Sequence, residues 1–277
     1  MSKKSLLLLP LLSAAPLFLA GAPRRLSADA ADSFVADSLT SAAEQDLLAE
    51  GAASLFDRAL EQLSPQRLQW LQLSLWQRMR NADMAFESQG SLLLGPNHCA
   101  RLDITIQPGN TPARWLVVSD GRALAHVTQI GKRPPSVTTR LLVPAEPDAV
   151  SQKSPAETLS GLGCGGPYVV MKNLRGKLKE PTAQNGVLNG IRVIRIHGRL
   201  DPAQVAPQHA TAAAAEFCYL YLDAQTLWPG RLEWWEVDRK NAQRLRLELE
   251  FRDAVLNRPL SEAECIRAFS YNPEPSD

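Results

Sequence analysis

The chain has no Cys-x-x-Cys pair, no His-x-x-x-His and no Gly-x-Ser-x-Gly. The first absence argues against zinc or thioredoxin-like chemistry. The second removes the usual two-histidine metal face on a helix. The third removes the exposed serine of a hydrolase elbow. The four histidines, His98, His126, His197 and His209, are scattered. Charge of one sign is also missing. The net charge is +1, and no Lys/Arg block interrupts the chain, so nucleic acid is not expected as a partner. Beyond residue 22 no apolar run is long enough to span a bilayer; the nearest, residues 212–222, is short and holds Glu216.

The sequence does carry an export pattern. Lys3 and Lys4 precede an apolar run over residues 5–22, broken by Pro10 and Pro16. This is the layout of a signal peptide, with Ala20-Gly21-Ala22 as the cleavage site and Ala28-Asp29-Ala30 as a rival. Loss of residues 1–22 removes Lys3 and Lys4, which turns the net charge from +1 to −1. No cysteine follows the run closely, so no lipid-anchoring cysteine is expected. Arg24-Arg25 lie on the wrong side of it for a twin-arginine signal. A soluble periplasmic protein is expected, with a signal peptide over 1–22, a flexible lead-in over 23–42 and one domain over 43–277. In an oxidising compartment Cys99, Cys164, Cys218 and Cys265 read as disulfide material. Cys218 on one of the last strands and Cys265 just beyond them are the favoured pair.

The strongest local signal is Arg-Leu-Arg-Leu-Glu-Leu-Glu-Phe over residues 244–251. Leu245, Leu247, Leu249 and Phe251 alternate with charged residues, the period of a strand with one apolar face and one wet face. Such sheets are usually antiparallel. Leu102, Ile104 and Ile106 repeat the pattern, as do Leu71, Leu73 and Leu75, where helical spacing is a rival reading. Met84, Phe86 and Ser88 alternate likewise, and Trp115 begins a short apolar strand. Gly95-Pro96-Asn97 and Ser119-Asp120-Gly121 are turns between them. Strands are also predicted near 138–143, 191–197, 217–222 and 231–237. An amphipathic helix is predicted over 47–63 and a second over 167–178.

Gly161-Leu-Gly-Cys-Gly-Gly166 matches G-x-G-x-x-G but follows no apolar strand, so it reads as a loop. Glu233 and Glu236 alternate with tryptophans and read as a wet strand face. Trp234 and Trp235 are adjacent and must face opposite sides of a regular strand. One of them therefore lies outside the core or lines a groove.

Four segments in order resemble the LolA/LolB-like group of periplasmic lipoprotein carriers. They are Phe86-Glu-Ser-Gln-Gly-Ser-Leu-Leu-Leu94, Val117-Val-Ser-Asp-Gly-Arg-Ala-Leu124, Leu222-Asp-Ala-Gln-Thr-Leu-Trp-Pro-Gly-Arg-Leu232, and Phe251-Arg-Asp-Ala-Val-Leu-Asn257 followed by Phe269 and Pro273. The resemblance implies an α+β fold, a strongly curved antiparallel sheet forming an incomplete barrel, with helices over its apolar concave face. It implies a non-enzymatic carrier of lipoprotein acyl chains or another apolar ligand, without a cofactor or metal, touching the membrane only peripherally. The ligand-lining residues would be Leu73, Phe86, Leu102, Ile104, Ile106, Trp115, Trp234, Leu245, Leu247 and Leu249. The alternative on the same fold is an envelope protein-interaction or lipoprotein-sensing module. An apolar void would favour the carrier; a filled core with an exposed aromatic patch would favour the interaction module.

Overall fold

The computed structural model describes residues 34–36, 42–81, 84–107, 111–142, 154–200, 216–237 and 242–271. Twelve strands form one sheet: β1 (Phe34–Ala36), β2 (Leu71–Asn81), β3 (Met84–Leu94), β4 (Cys99–Gln107), β5 (Ala113–Asp120), β6 (Ala123–Ile130), β7 (Ser136–Leu141), β8 (Leu178–Leu188), β9 (Ile191–Leu200), β10 (Phe217–Asp223), β11 (Pro229–Val237) and β12 (Gln243–Leu256). Their spatial order is β1-β8-β9-β10-β11-β12-β2-β3-β4-β5-β6-β7. Every pairing is antiparallel. The sheet is open, with β1 and β7 at its edges, and is not strongly curled. The expected strong curvature is therefore absent, whereas the antiparallel sheet and its helical cover are present. The pairing follows chain order because short turns favour neighbours. The exceptions are β1, which pairs with β8, and the β12–β2 junction, which joins the two meanders.

Five helices accompany the sheet: α1 (Ala42–Ala49), α2 (Ala52–Gln62), α3 (Pro155–Gly161), α4 (Gly166–Arg175) and α5 (Glu262–Phe269). The single helix expected over 47–63 is split at Gly51, whose φ of 83° lies where side chains are strained. α3 and α5 each start in a capping box, Ser154 with Glu157 and Ser261 with Glu264. Both S-x-x-E signals stand in the sequence, and neither helix was expected from it. Phe34–Ala36, inside the expected lead-in, pair with β8. β8 went unread because its apolar positions are sparse and Pro181 interrupts it beside a register shift. The signal peptide, its cleavage site and the loop expected over 201–210 lie outside the described residues.

α2 and α4 cover the face formed by the aliphatic rows of β2, β3, β4, β9, β10 and β12. α2 buries Leu55 and Phe56, and α4 buries Met171 and Leu174, in one cluster with Leu73, Leu92, Leu102, Ile104, Ile196, Leu220 and Leu249. Arg175 grips Asp57 with two nitrogens at 2.7 and 3.1 Å, linking the two helices at the rim. α5 lies on the opposite face, where Arg101 of β4 donates to the Ala268 carbonyl at 3.3 Å. Among the described residues no helix is long and apolar enough to cross a membrane.

Candidate functional site

Alternation assigns each strand residue to the helix-covered face or to the opposite, open face. On the open face the residues alternating with the aliphatic rows form a groove of about 1040 Å³. β2 contributes Trp76 and Arg78, β10 Tyr219 and Tyr221, β11 Arg231, Glu233 and Trp235, and β12 Glu248 and Glu250. Phe34 of β1 and Arg195 of β9 close one end.

Arg231 stands at the centre. Its Nε lies 2.7 Å from Glu233, one terminal nitrogen 2.7 Å from Glu248, and the other 3.4 Å from Glu250. The Arg231 side chain is 7% exposed, so these pairs are screened little by water. Register explains the cluster: Arg231 faces Glu250, and Glu233 faces Glu248, across the β11–β12 ladder. Second donors hold the carboxylates. Tyr221 Oη and Trp235 Nε1 donate to Glu233 at 3.2 and 2.8 Å, and Arg252 donates to Glu250. Burial pushes the Glu248 carboxyl above its usual range. Arg231 and Arg78 pull against that shift, and Glu233 and Glu250 reinforce it.

Aromatic planes flank the cluster. Arg78 and Arg252 lie 5.1 and 5.3 Å from the Trp76 ring. Arg195 lies 3.9 Å from the Phe34 ring and 5.1 Å from that of Tyr219. His197 stacks on Tyr219 at 4.7 Å. Burial, and then the Arg195 charge, lower the His197 pKa. Each of the three central carboxylates is held by guanidinium groups, which suits recognition of charged and planar groups better than proton transfer. Among the described residues no three His, Cys, Asp or Glu side chains gather to hold a metal ion.

The residues singled out from the sequence fall mainly on the other face. Leu73, Leu102, Ile104, Trp234, Leu247 and Leu249 are buried in the helix-covered core, with Ile106 and Trp115 packed against it. Phe86 is half-buried on that face, opposite Met79. Leu102 is 0% exposed and Leu73, Ile104 and Leu249 are each 2% exposed, so these four side chains are packed core. Leu245 is a correction. The β11–β12 register shifts between Trp234 and Trp235, which pairs Trp235 with Leu245 and turns both into the groove. Leu245 therefore leaves the row of Leu247 and Leu249.

The favoured disulfide is a second correction. Cys218 and Cys265 are free thiols. Cys218 is buried on the helix-covered face, opposite Trp234. Cys265 belongs to α5 on the open face, so the sheet stands between them. Gly161 to Gly166 form the turn joining α3 to α4, with no strand leading into it. The groove itself was passed over because Arg/Glu alternation reads as a solvated face. The available signal was aromatic: Phe217, Tyr219 and Tyr221 share that face of β10 and continue into Trp235.

No family model and no curated protein matches the chain. Solved structures do match. LprF from Mycobacterium bovis aligns with a TM-score of 0.42 and 13% identity, over 76% of this chain and 94% of that one. The lipoprotein LppX from Mycobacterium tuberculosis aligns at 0.41 and 13%, over 76% and 97%. A LolA superfamily protein from Nitrosomonas europaea aligns at 0.28 and 13%, over 80% and 98%. The chain thus has structural matches among LolA superfamily proteins with no sequence family attached, and nothing about its ligand follows from that likeness.

Proposed function

We propose that this is an exported, non-enzymatic binding protein of the cell envelope, and that its working surface is the open groove. One observation carries the reading. On the helix-covered face Leu73, Leu102, Ile104 and Leu249 are packed core, and the largest opening described there is a pocket of about 330 Å³ at the Leu63–Trp228 end, while the opposite face presents a 1040 Å³ groove of arginines, glutamates and aromatic rings. Seven arginines and five glutamates line it. That balance suits a protein segment bearing carboxylates beside an aromatic or apolar side chain, since guanidinium forks pair with carboxylates and stack on rings. A photoreactive benzoylphenylalanine at Tyr219 tests this in the native envelope. The expected result is a discrete protein adduct from that position and none from the exposed edge position Val137. Absence of an adduct at Tyr219 rejects the reading.

A second reading, a carrier of acyl chains, is favoured by the form of the helical cover. α2 and α4 meet the sheet through aliphatic and aromatic side chains, and α4 starts from a turn with Gly163 and Gly166 at φ 92° and 59°. Opening such a cover would expose the aliphatic rows to a lipid. Saturable binding of a fluorescent fatty-acid analogue, weakened by Ile104→Glu and Leu247→Glu in folded variants, is the result it requires.

A further inference from the structure

Two of the four cysteines lie near one another where α5 docks on the open face. Cys99 starts β4, and alternation places it on the same face as Arg101. Arg101 holds the Ala268 carbonyl of α5. The Phe269 ring lies 6.4 Å from that of Trp70. Trp70 and the Cys99 Cβ both lie within 3.4 Å of the point where Gly95 would carry a Cβ. Trp70 thus joins Cys99 to the C-terminal end of α5. Cys265 precedes Phe269 by one helical turn and Ala268 by three residues, so all three share the side of α5 that meets β4. Burial raises the Cys99 pKa most, and the neighbouring Cys265 thiol and then Asp120 raise it further.

Access separates this pair from the others. Cys99 and Cys265 are half-buried, whereas Cys164 and Cys218 are buried. The Cys265 thiol donates to the Leu260 carbonyl at 3.8 Å, a weak bond to surrender.

We propose that Cys99 and Cys265 form a disulfide under oxidising conditions, stapling α5 to the start of β4. The oxidant is a disulfide of small-molecule or protein origin. One thiolate attacks it, forming a mixed disulfide and releasing one thiol. The second thiolate then displaces the remaining thiol. The two cysteines lose two electrons and two protons in all, and the oxidant leaves as two thiols. The bond closes a long loop between β4 and the C-terminal helix, where restricting the unfolded chain has a large effect.

The test supplies its own oxidant, so its outcome is separate from the export reading. Reduced full-chain protein is equilibrated with glutathione disulfide, alkylated while folded, and mapped without reductant. The expected product is a Cys99–Cys265 peptide lighter by two hydrogens, with Cys164 and Cys218 alkylated only after unfolding. Oxidation should raise Tm by about 5–10 °C. Cys99→Ser and Cys265→Ser should each abolish that rise while matching the parent in reductant. Free, alkylated Cys99 and Cys265 after oxidation overturn the proposal. A bond between two copies of the chain, or to Cys164 or Cys218, does the same.

Discussion

Trp235 faces Leu245 across β11 and β12, although its neighbour Trp234 faces Leu247. Arg246 is the residue left over between the two pairs. It turns to Glu236 at 2.7 Å, so the bulge inserts an ion pair into the groove wall.

That register makes the two leucines unequal. Leu247→Ala removes a side chain from the filled core and should cost about 2–5 kcal/mol. Leu245→Ala, on the half-buried groove wall, should cost less than about 1.5 kcal/mol. Urea unfolding of both variants checks the order, and equal losses would contradict the bulge.

Arg231 holds three carboxylates that are all nearly removed from water. Arg231→Ala leaves them facing one another, and a loss of about 3–5 kcal/mol is expected. The damage should ease at low pH, where the carboxylates take up protons. Chemical denaturation at two pH values is the measurement; a pH-independent loss would place the effect in packing alone.

His197 binds its proton less readily in the folded protein than its ordinary value of 6.5 implies, through burial and then Arg195. As pH falls through 6.5, the unfolded chain takes up the proton first, so stability drops with falling pH in the window below 6.5 and is restored above it. His126 shifts in the same direction, through burial and Arg140. His197→Asn should shallow the slope of Tm against pH between about 6.5 and 5 without abolishing it. NMR titration of the imidazole signals gives the two values directly, and a His197 value above 6.5 would contradict the lowering by burial and Arg195.

A Cβ on Gly90 would lie 2.0 Å from the Asp103 carbonyl oxygen on the neighbouring strand. Gly90→Ala must push β3 from β4, at a cost of at least about 2 kcal/mol. Gly176→Ala meets nothing within 4 Å and serves as the control. Thermal unfolding of the pair should separate them clearly.

Period-two alternation was enough to place the antiparallel sheet, because a strand cannot send neighbouring side chains to the same side. It identified most of the aliphatic rows and the separation of Trp234 from Trp235, and turn chemistry placed the Asp120-Gly121 turn. Composition was enough to remove an obvious metal or nucleophile motif from view. Three things depended on the tertiary structure. The first is which aliphatic side chains are packed as core, because such rows have the same chemistry in a core and in a cavity; only packing against Phe56, Met171 and Leu174 distinguishes the two. The second is the position of Leu245, since a bulge belongs to a pair of strands and leaves no mark in either alone. The third is the company of each cysteine. Sequence distance drew Cys265 toward Cys218, but a sheet has two sides, and the docking of α5 beside Arg101 placed Cys265 with Cys99 instead.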